Sequence, residues 1–120
     1  MDPRPRLHVH RHAAARAELD SPWPGTARSG DPQTVTVNAY VSPDGRLLSG
    51  TWESSPGVWD VDYADWEYCH VLEGRCVITP EGGAPVELRA GDCFVVEPGL
   101  RGTWEVLERL RKYYVFSLSA

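Results

Sequence analysis

An all-β domain closed as a sandwich or barrel is the fold class this sequence predicts, and three observations predict it. Runs of about five to eight residues with β-branched and aromatic content follow one another from Gln33 onward. Turn-forming residues separate the runs at near-regular spacing. Finally, 11 glycines and 10 prolines in 120 residues favour many reversals between short elements over a few long helices. A helical period competes only weakly, at residues 13–19.

Residues 1–32 read as an irregular arm without a core of its own. They hold Pro3, Pro5, Pro22, Pro24, Gly25 and Gly30 and one short apolar stretch. His8, His10 and His12 alternate, so an extended chain would put three imidazoles on one face; a solvated arm is the simpler reading. The barrel is assigned to residues 33–120, with runs at 34–41, 47–53, 58–63, 66–72, 75–79, 85–88, 93–96, 102–107 and 112–118. Between them stand Pro43-Asp44-Gly45, Ser55-Pro56-Gly57, Glu73-Gly74, Glu81-Gly82-Gly83, Gly91-Asp92 and Pro98-Gly99, each able to supply the angles a reversal requires.

The length suits one hydrophobic core and is too short for two. Net charge is -5, with a mildly basic arm and an acidic body. An acidic body repels phosphate backbones, which argues against nucleic-acid partners. No stretch approaches the roughly 20 apolar residues that span a bilayer, and no apolar secretory core opens the chain, so a cytoplasmic location without membrane association is expected. Cys69, Cys76 and Cys93 form no CxxC pair and cannot all pair within one chain, which fits a reducing compartment.

Two motifs carry a resemblance. Glu67-Tyr68-Cys69-His70-Val71-Leu72-Glu73-Gly74 resembles the second half of the first cupin motif, a carboxylate followed by a glycine that tops a tight hairpin. Gly91-Asp92-Cys93-Phe94-Val95-Val96-Glu97-Pro98-Gly99 resembles the opening of the second, with its proline one position late. With Gly50-Thr51-Trp52-Glu53-Ser54-Ser55-Pro56-Gly57, Gly102-Thr103-Trp104-Glu105-Val106 and Arg111-Lys112-Tyr113-Tyr114, the chain is similar to small single-domain cupins related to the cupin domain of (S)-ureidoglycine aminohydrolase. The resemblance implies an RmlC-like jelly-roll β-barrel with Glu67 facing inward. It also implies a homodimer, for which the run at 34–41 is a candidate exchanged strand, since exposed edges invite pairing.

Strand alternation then places Glu67, Cys69 and Val71 on the inner face and Tyr68, His70 and Leu72 outside. A strand starting inward at Gly102 carries Trp104 inward, and Lys112, Tyr114 and Phe116 share one face of the last run. An inward lysine needs a partner, for which Glu67 and Glu53 are candidates; otherwise it extends along the barrel end towards Glu105 or Glu108.

Metal-binding cupins use two histidines and a glutamate of the first motif and a histidine of the second. Here the first pair of positions holds Val61 and Tyr63, or Asp60 and Asp62, and the last holds Gly102. One carboxylate does not hold a divalent transition metal, so no cofactor is favoured; a metal would have to draw on Glu67 with Tyr63 or Cys69.

The expected pocket thus combines Glu67, Lys112 and Tyr114 as catalytic candidates with Trp52, Trp59, Tyr63, Cys69 and Trp104 as ligand-binding candidates. Indole walls bury the flat faces of a small polar or planar molecule while a few polar groups orient it. Two functions fit: an enzyme moving protons or hydrolysing a nitrogen-rich or sugar-like metabolite, or a non-catalytic ligand-binding or partner-subunit barrel. Most of the five tryptophans are expected to be structural, and Cys69 lacks an inward histidine to activate it.

Overall fold

The computed structural model describes residues 6–10 and 22–119. They form eight strands and no helix: β1 (Gly25–Ser29), β2 (Thr34–Val41), β3 (Leu47–Ser54), β4 (Gly57–Asp62), β5 (Trp66–Pro80), β6 (Val86–Arg89), β7 (Cys93–Val96) and β8 (Arg101–Ser117). His12 and the weak helical pattern at 13–19 lie outside the described residues.

Every ladder is antiparallel, and two long strands organise them. The C-terminal half of β8 lies between β3 and the first half of β5, while its N-terminal half lies between β4 and the second half of β5. Adding the outer strands gives one face ordered β2-β3-β8-β5-β7 and another ordered β1-β4-β8-β5-β6. This is the expected jelly-roll: two faces share their long strands and bury their apolar sides against each other. The core joins Trp52, Cys69, Val71 and Tyr114 from the first face to Trp59, Val61, Ile78 and Trp104 from the second.

One expected reversal and one expected break between runs are absent. Glu73-Gly74 does not end a hairpin, because β5 runs unbroken from Trp66 to Pro80, and the runs at 102–107 and 112–118 are one strand, β8. The β5–β8 register instead slips between Val71 and Cys76. Gly74 sits in that irregularity at φ 87°, and a Cβ there would lie 2.1 Å from the Arg109 carbonyl oxygen. Only glycine meets both demands. The slip also changes the parity of β5: Glu67, Cys69 and Val71 are buried before it, Cys76 and Ile78 after it.

β1 is a strand the apolar pattern does not reveal. It pairs with β4, Gly25 opposite Val61, within the region expected as an arm, and its residues are mostly exposed. An edge strand held by backbone hydrogen bonds needs no buried side-chain stripe, so it leaves no period to detect. The Pro43-Asp44-Gly45 turn forms as expected: Gly45 N–H donates to the Ser42 carbonyl at 2.8 Å, and Asp44 Oδ1 accepts from Arg46 N–H at 3.0 Å.

Candidate functional site

Register brings the candidate residues together. Lys112 on β8 lies between Trp52 of β3 and Val71 of β5, while Trp104 lies between Trp59 of β4 and Ile78 of β5. Glu67, opposite Phe116 on β8, faces the same interior. Glu67 and Lys112 are 0% and 1% exposed, so parity turns both inward as the alternation predicts.

The charged pair is fully partnered. Lys112 Nζ donates to Glu67 Oε2 at 2.7 Å, and the Tyr63 hydroxyl donates to Glu67 Oε1 at 2.6 Å. Three indole faces complete the lysine's surroundings, with Nζ 4.4 Å from the Trp104 ring centre, 4.7 Å from Trp23 and 5.0 Å from Trp52. Each ring presents its electron-rich face to the ammonium, which compensates part of the lost hydration. Cys69 Sγ lies 3.6 Å from Nζ.

The protonation states follow from this packing. Burial alone would lower the Lys112 pKa, but the charges of Cys69, once ionised, and of Glu67 outweigh it and hold the value above the ordinary lysine value. Burial, reinforced by Glu67, pushes the Tyr63 phenol well above its usual range. Burial likewise raises the Cys69 thiol well above its usual range against the pull of Lys112, and lifts Cys76 to about 12. At neutral pH the cluster is an ammonium beside a phenol and a thiol that keep their protons.

A divalent metal, which the cupin resemblance implies, does not fit these residues. The Lys112 ammonium already stands 2.7 Å from the Glu67 carboxylate, where it repels a second cation, and no group of three or more His, Cys, Asp or Glu side chains that could hold a metal exists among the described residues. The last histidine position is closed as well: a Cβ on Gly102 would lie 2.1 Å from the Thr79 carbonyl oxygen.

Other candidates have different partners. The Tyr114 ring is buried, but its hydroxyl donates to the Val37 carbonyl at 3.2 Å and to Asn38 Oδ1. The phenol at the ion pair is therefore Tyr63, not Tyr114. Trp59 Nε1 donates to Ser54 Oγ at 3.3 Å, and its ring stands edge-on to Trp52 and Trp23. Lys112 does not extend to the barrel end: Glu108 pairs with Arg75, and Glu53 lies beside Arg109 and Arg111. His8 packs on Tyr40, and His10 Nε2 shares a 2.7 Å hydrogen bond with Ser49 Oγ.

Trp23 is the site residue the sequence reading missed. Its indole stacks on Trp52 with ring centres 4.3 Å apart and meets Trp104 edge-on at 4.8 Å. The available signal was a large aromatic residue between Pro22 and Pro24 in an otherwise polar arm. With it in place, the gap among Pro22, Trp23, Thr36, Trp52, Glu67, Lys112, Tyr114 and Phe116 is ≈ 150 Å³ and too narrow for the centre of a water molecule. The Trp52 Nε1–H is buried there without a hydrogen-bond partner among the described residues. Larger grooves lie on the outer surface, away from the ion pair.

Comparison with known proteins places this geometry in a family. The model of the EutQ-like cupin domain matches residues 41–114. A search of curated proteins returned no match. Among solved structures, a DUF861 family protein from Thermotoga maritima is 38% identical, with 53% of this chain and 73% of that one aligned at a TM-score of 0.52. A protein of unknown function from Pseudomonas syringae, assigned to the same DUF861 family, is 25% identical over 78% of this chain at a TM-score of 0.66; the alignment spans only 44% of that longer chain. The EutQ protein of Clostridium difficile shares the fold, at 20% identity and a TM-score of 0.64 over 74% of this chain and 65% of its own. The match over most of the barrel, together with the inward glutamate and the paired jelly-roll faces, makes this chain a member of the EutQ-like cupin domain family.

Proposed function

We propose that this barrel binds a small polar or planar metabolite beside Lys112 and Glu67 and moves a proton on it. The observation that carries the reading is the fully buried ion pair, with Tyr63 on the second carboxylate oxygen. A desolvated pair contributes little net stability compared with apolar packing, so its presence in the core points to chemistry.

The roles follow from the donor set. Glu67 accepts a proton from the bound molecule, and the Lys112 ammonium faces the negative charge that develops as it leaves. Tyr63, which holds its proton firmly, keeps the carboxylate oriented. Proton transfer or hydrolysis on a nitrogen-rich or sugar-like compound fits these groups. The likeness to the ureidoglycine aminohydrolase cupin domain supports that chemistry as fold kinship, without its metal.

A second reading rests on the filled interior: a barrel with a ≈ 150 Å³ gap suits a non-catalytic ligand-binding or partner subunit. A thermal-shift screen of ureides, amino acids, sugars and heterocycles, followed by product analysis, separates the two. The enzymatic reading expects turnover that falls about 10²-fold or more in Glu67→Gln. Unchanged turnover in that variant removes Glu67 from the chemistry, and a ligand recovered intact after long incubation supports the binding subunit.

We also infer a cytoplasmic homodimer. The free cysteines fit a reducing compartment, and β2 ends its face of the strand order with an edge suited to pairing. A concentration-independent monomer mass in light scattering would remove the dimer.

A further inference from the structure

Trp23 differs from the other indoles around Lys112. Trp52 and Trp104 project from β3 and β8 and are 1% and 0% exposed, whereas Trp23 belongs to no strand and is only partly buried. It enters between Pro22 and Pro24, and Gly25 lies so close beneath it that a Cβ there would be 2.4 Å from Trp23 Nε1. Its ring lies over Lys112 Nζ at 4.7 Å and, unlike the fully buried Lys112–Glu67 pair, keeps some exposure, so its withdrawal would leave a slot of indole shape beside the pair.

We propose that Trp23 is an internal occupant of the ligand seat, and that the ligand is a neutral, electron-rich aromatic ring of about indole's size that displaces it. This rests on reading the Lys112–Glu67 chamber as a ligand site. The slot is planar because the seated ring stacks on Trp52, at 33° between planes, with Trp104 and Trp59 at its edges. It favours an electron-rich face because Lys112 Nζ lies 4.7 Å above the ring it now holds. It favours neutrality because the chamber is already balanced: an anion would add a second negative charge beside Glu67, and a cation would face Lys112. Removing one of three ring faces from a desolvated ammonium requires another face or water, and an aromatic ligand supplies the former.

Two measurements test this with indole and its ring-fluorinated series as probes. In protein labelled with 5-fluorotryptophan, the Trp23 fluorine resonance is assigned by its loss in Trp23→Phe, and saturating indole is expected to move it to the solvent-exposed position. In Trp23→Ala, which lacks the tethered competitor, indole is expected to bind about ten-fold or more tighter than in the wild type. Its affinity there should fall about three-fold or more from indole to tetrafluoroindole, and this dependence should vanish in Trp23→Ala/Lys112→Met/Glu67→Gln.

Indole binding that leaves the Trp23 resonance unmoved overturns the proposal, as does an affinity indifferent to fluorination in Trp23→Ala. If Trp23→Ala does not fold, the wild-type fluorine spectrum decides alone. A polar metabolite that binds and is lost in Lys112→Met/Glu67→Gln while Trp23 stays seated refutes the displacement and keeps the proposed function. Indole binding with the expected fluorine dependence, in a protein that turns over nothing, retains the seat and removes the enzymatic reading.

Discussion

Replacing Lys112 with methionine tests whether the ion pair is as desolvated as its geometry indicates. The substitution keeps most of the side-chain volume, and the thioether can still lie against Trp23, Trp52 and Trp104, so little packing is lost. What it removes is the charge 2.7 Å from Glu67 Oε2, leaving a carboxylate with 0% exposure and only the Tyr63 hydroxyl as donor. Breaking a buried pair on one side costs about 3–5 kcal/mol. With a urea dependence of about 1–3 kcal/mol per molar for a domain of this size, the unfolding midpoint should fall by roughly 2 M. Lys112→Met/Glu67→Gln should recover most of that loss, because glutamine keeps an acceptor for Tyr63 and no bare charge remains. Urea unfolding of the wild type, both single variants and the double variant closes a cycle with an expected coupling of about 2 kcal/mol or more. Singles and double that are equally stable, or a Lys112→Met cost under about 1 kcal/mol, would refute the reasoning, since exposed pairs behave that way.

Further outcomes follow from the same core. Cys69, Cys76, Tyr63 and Lys112 all hold their protons more tightly in the folded state than ordinary groups do. Their contribution is therefore complete below the unfolded-state values and is lost as pH climbs through them; unfolding free energy should fall from about pH 8.5 upward by as much as ~1.4 kcal/mol per pH unit for each titrating group, and the melting temperature should decline with it. A flat melting profile between neutrality and pH 10 would contradict this. Protein purified without a histidine tag should carry well under one equivalent of transition metal by mass spectrometry and melt at the same temperature with or without EDTA. Gly74→Ala should cost about 2 kcal/mol or more, because positive φ and the Arg109 carbonyl both oppose it, whereas Gly82→Ala, with positive φ but open space around it, should cost about 1. Chemical denaturation of the two variants measures the difference.

Much of the fold and the inner half of the site was legible in the chain itself. The alternation Glu67-Tyr68-Cys69-His70-Val71 can bury only one of its two faces, and the buried positions of β5 before the slip follow that parity. The same rule carried Trp104 inward from Gly102 and set Lys112 on one face with Tyr114 and Phe116, because a strand offers each side chain only two directions.

What tertiary structure decided has no local signature. The register slip at Gly74 depends on two carbonyl-lined strands meeting out of step, so the glycine reads in sequence as a hairpin. Whether Tyr63 or Tyr114 reaches Glu67 depends on which strand lies beyond each ring; β2 claims the Tyr114 hydroxyl. Trp23 enters the barrel from a segment with no period at all, placed by the edge pairing of β1 with β4. Periodicity reports which face of an element is buried, while partners contributed by distant segments are settled only when the whole chain closes on itself.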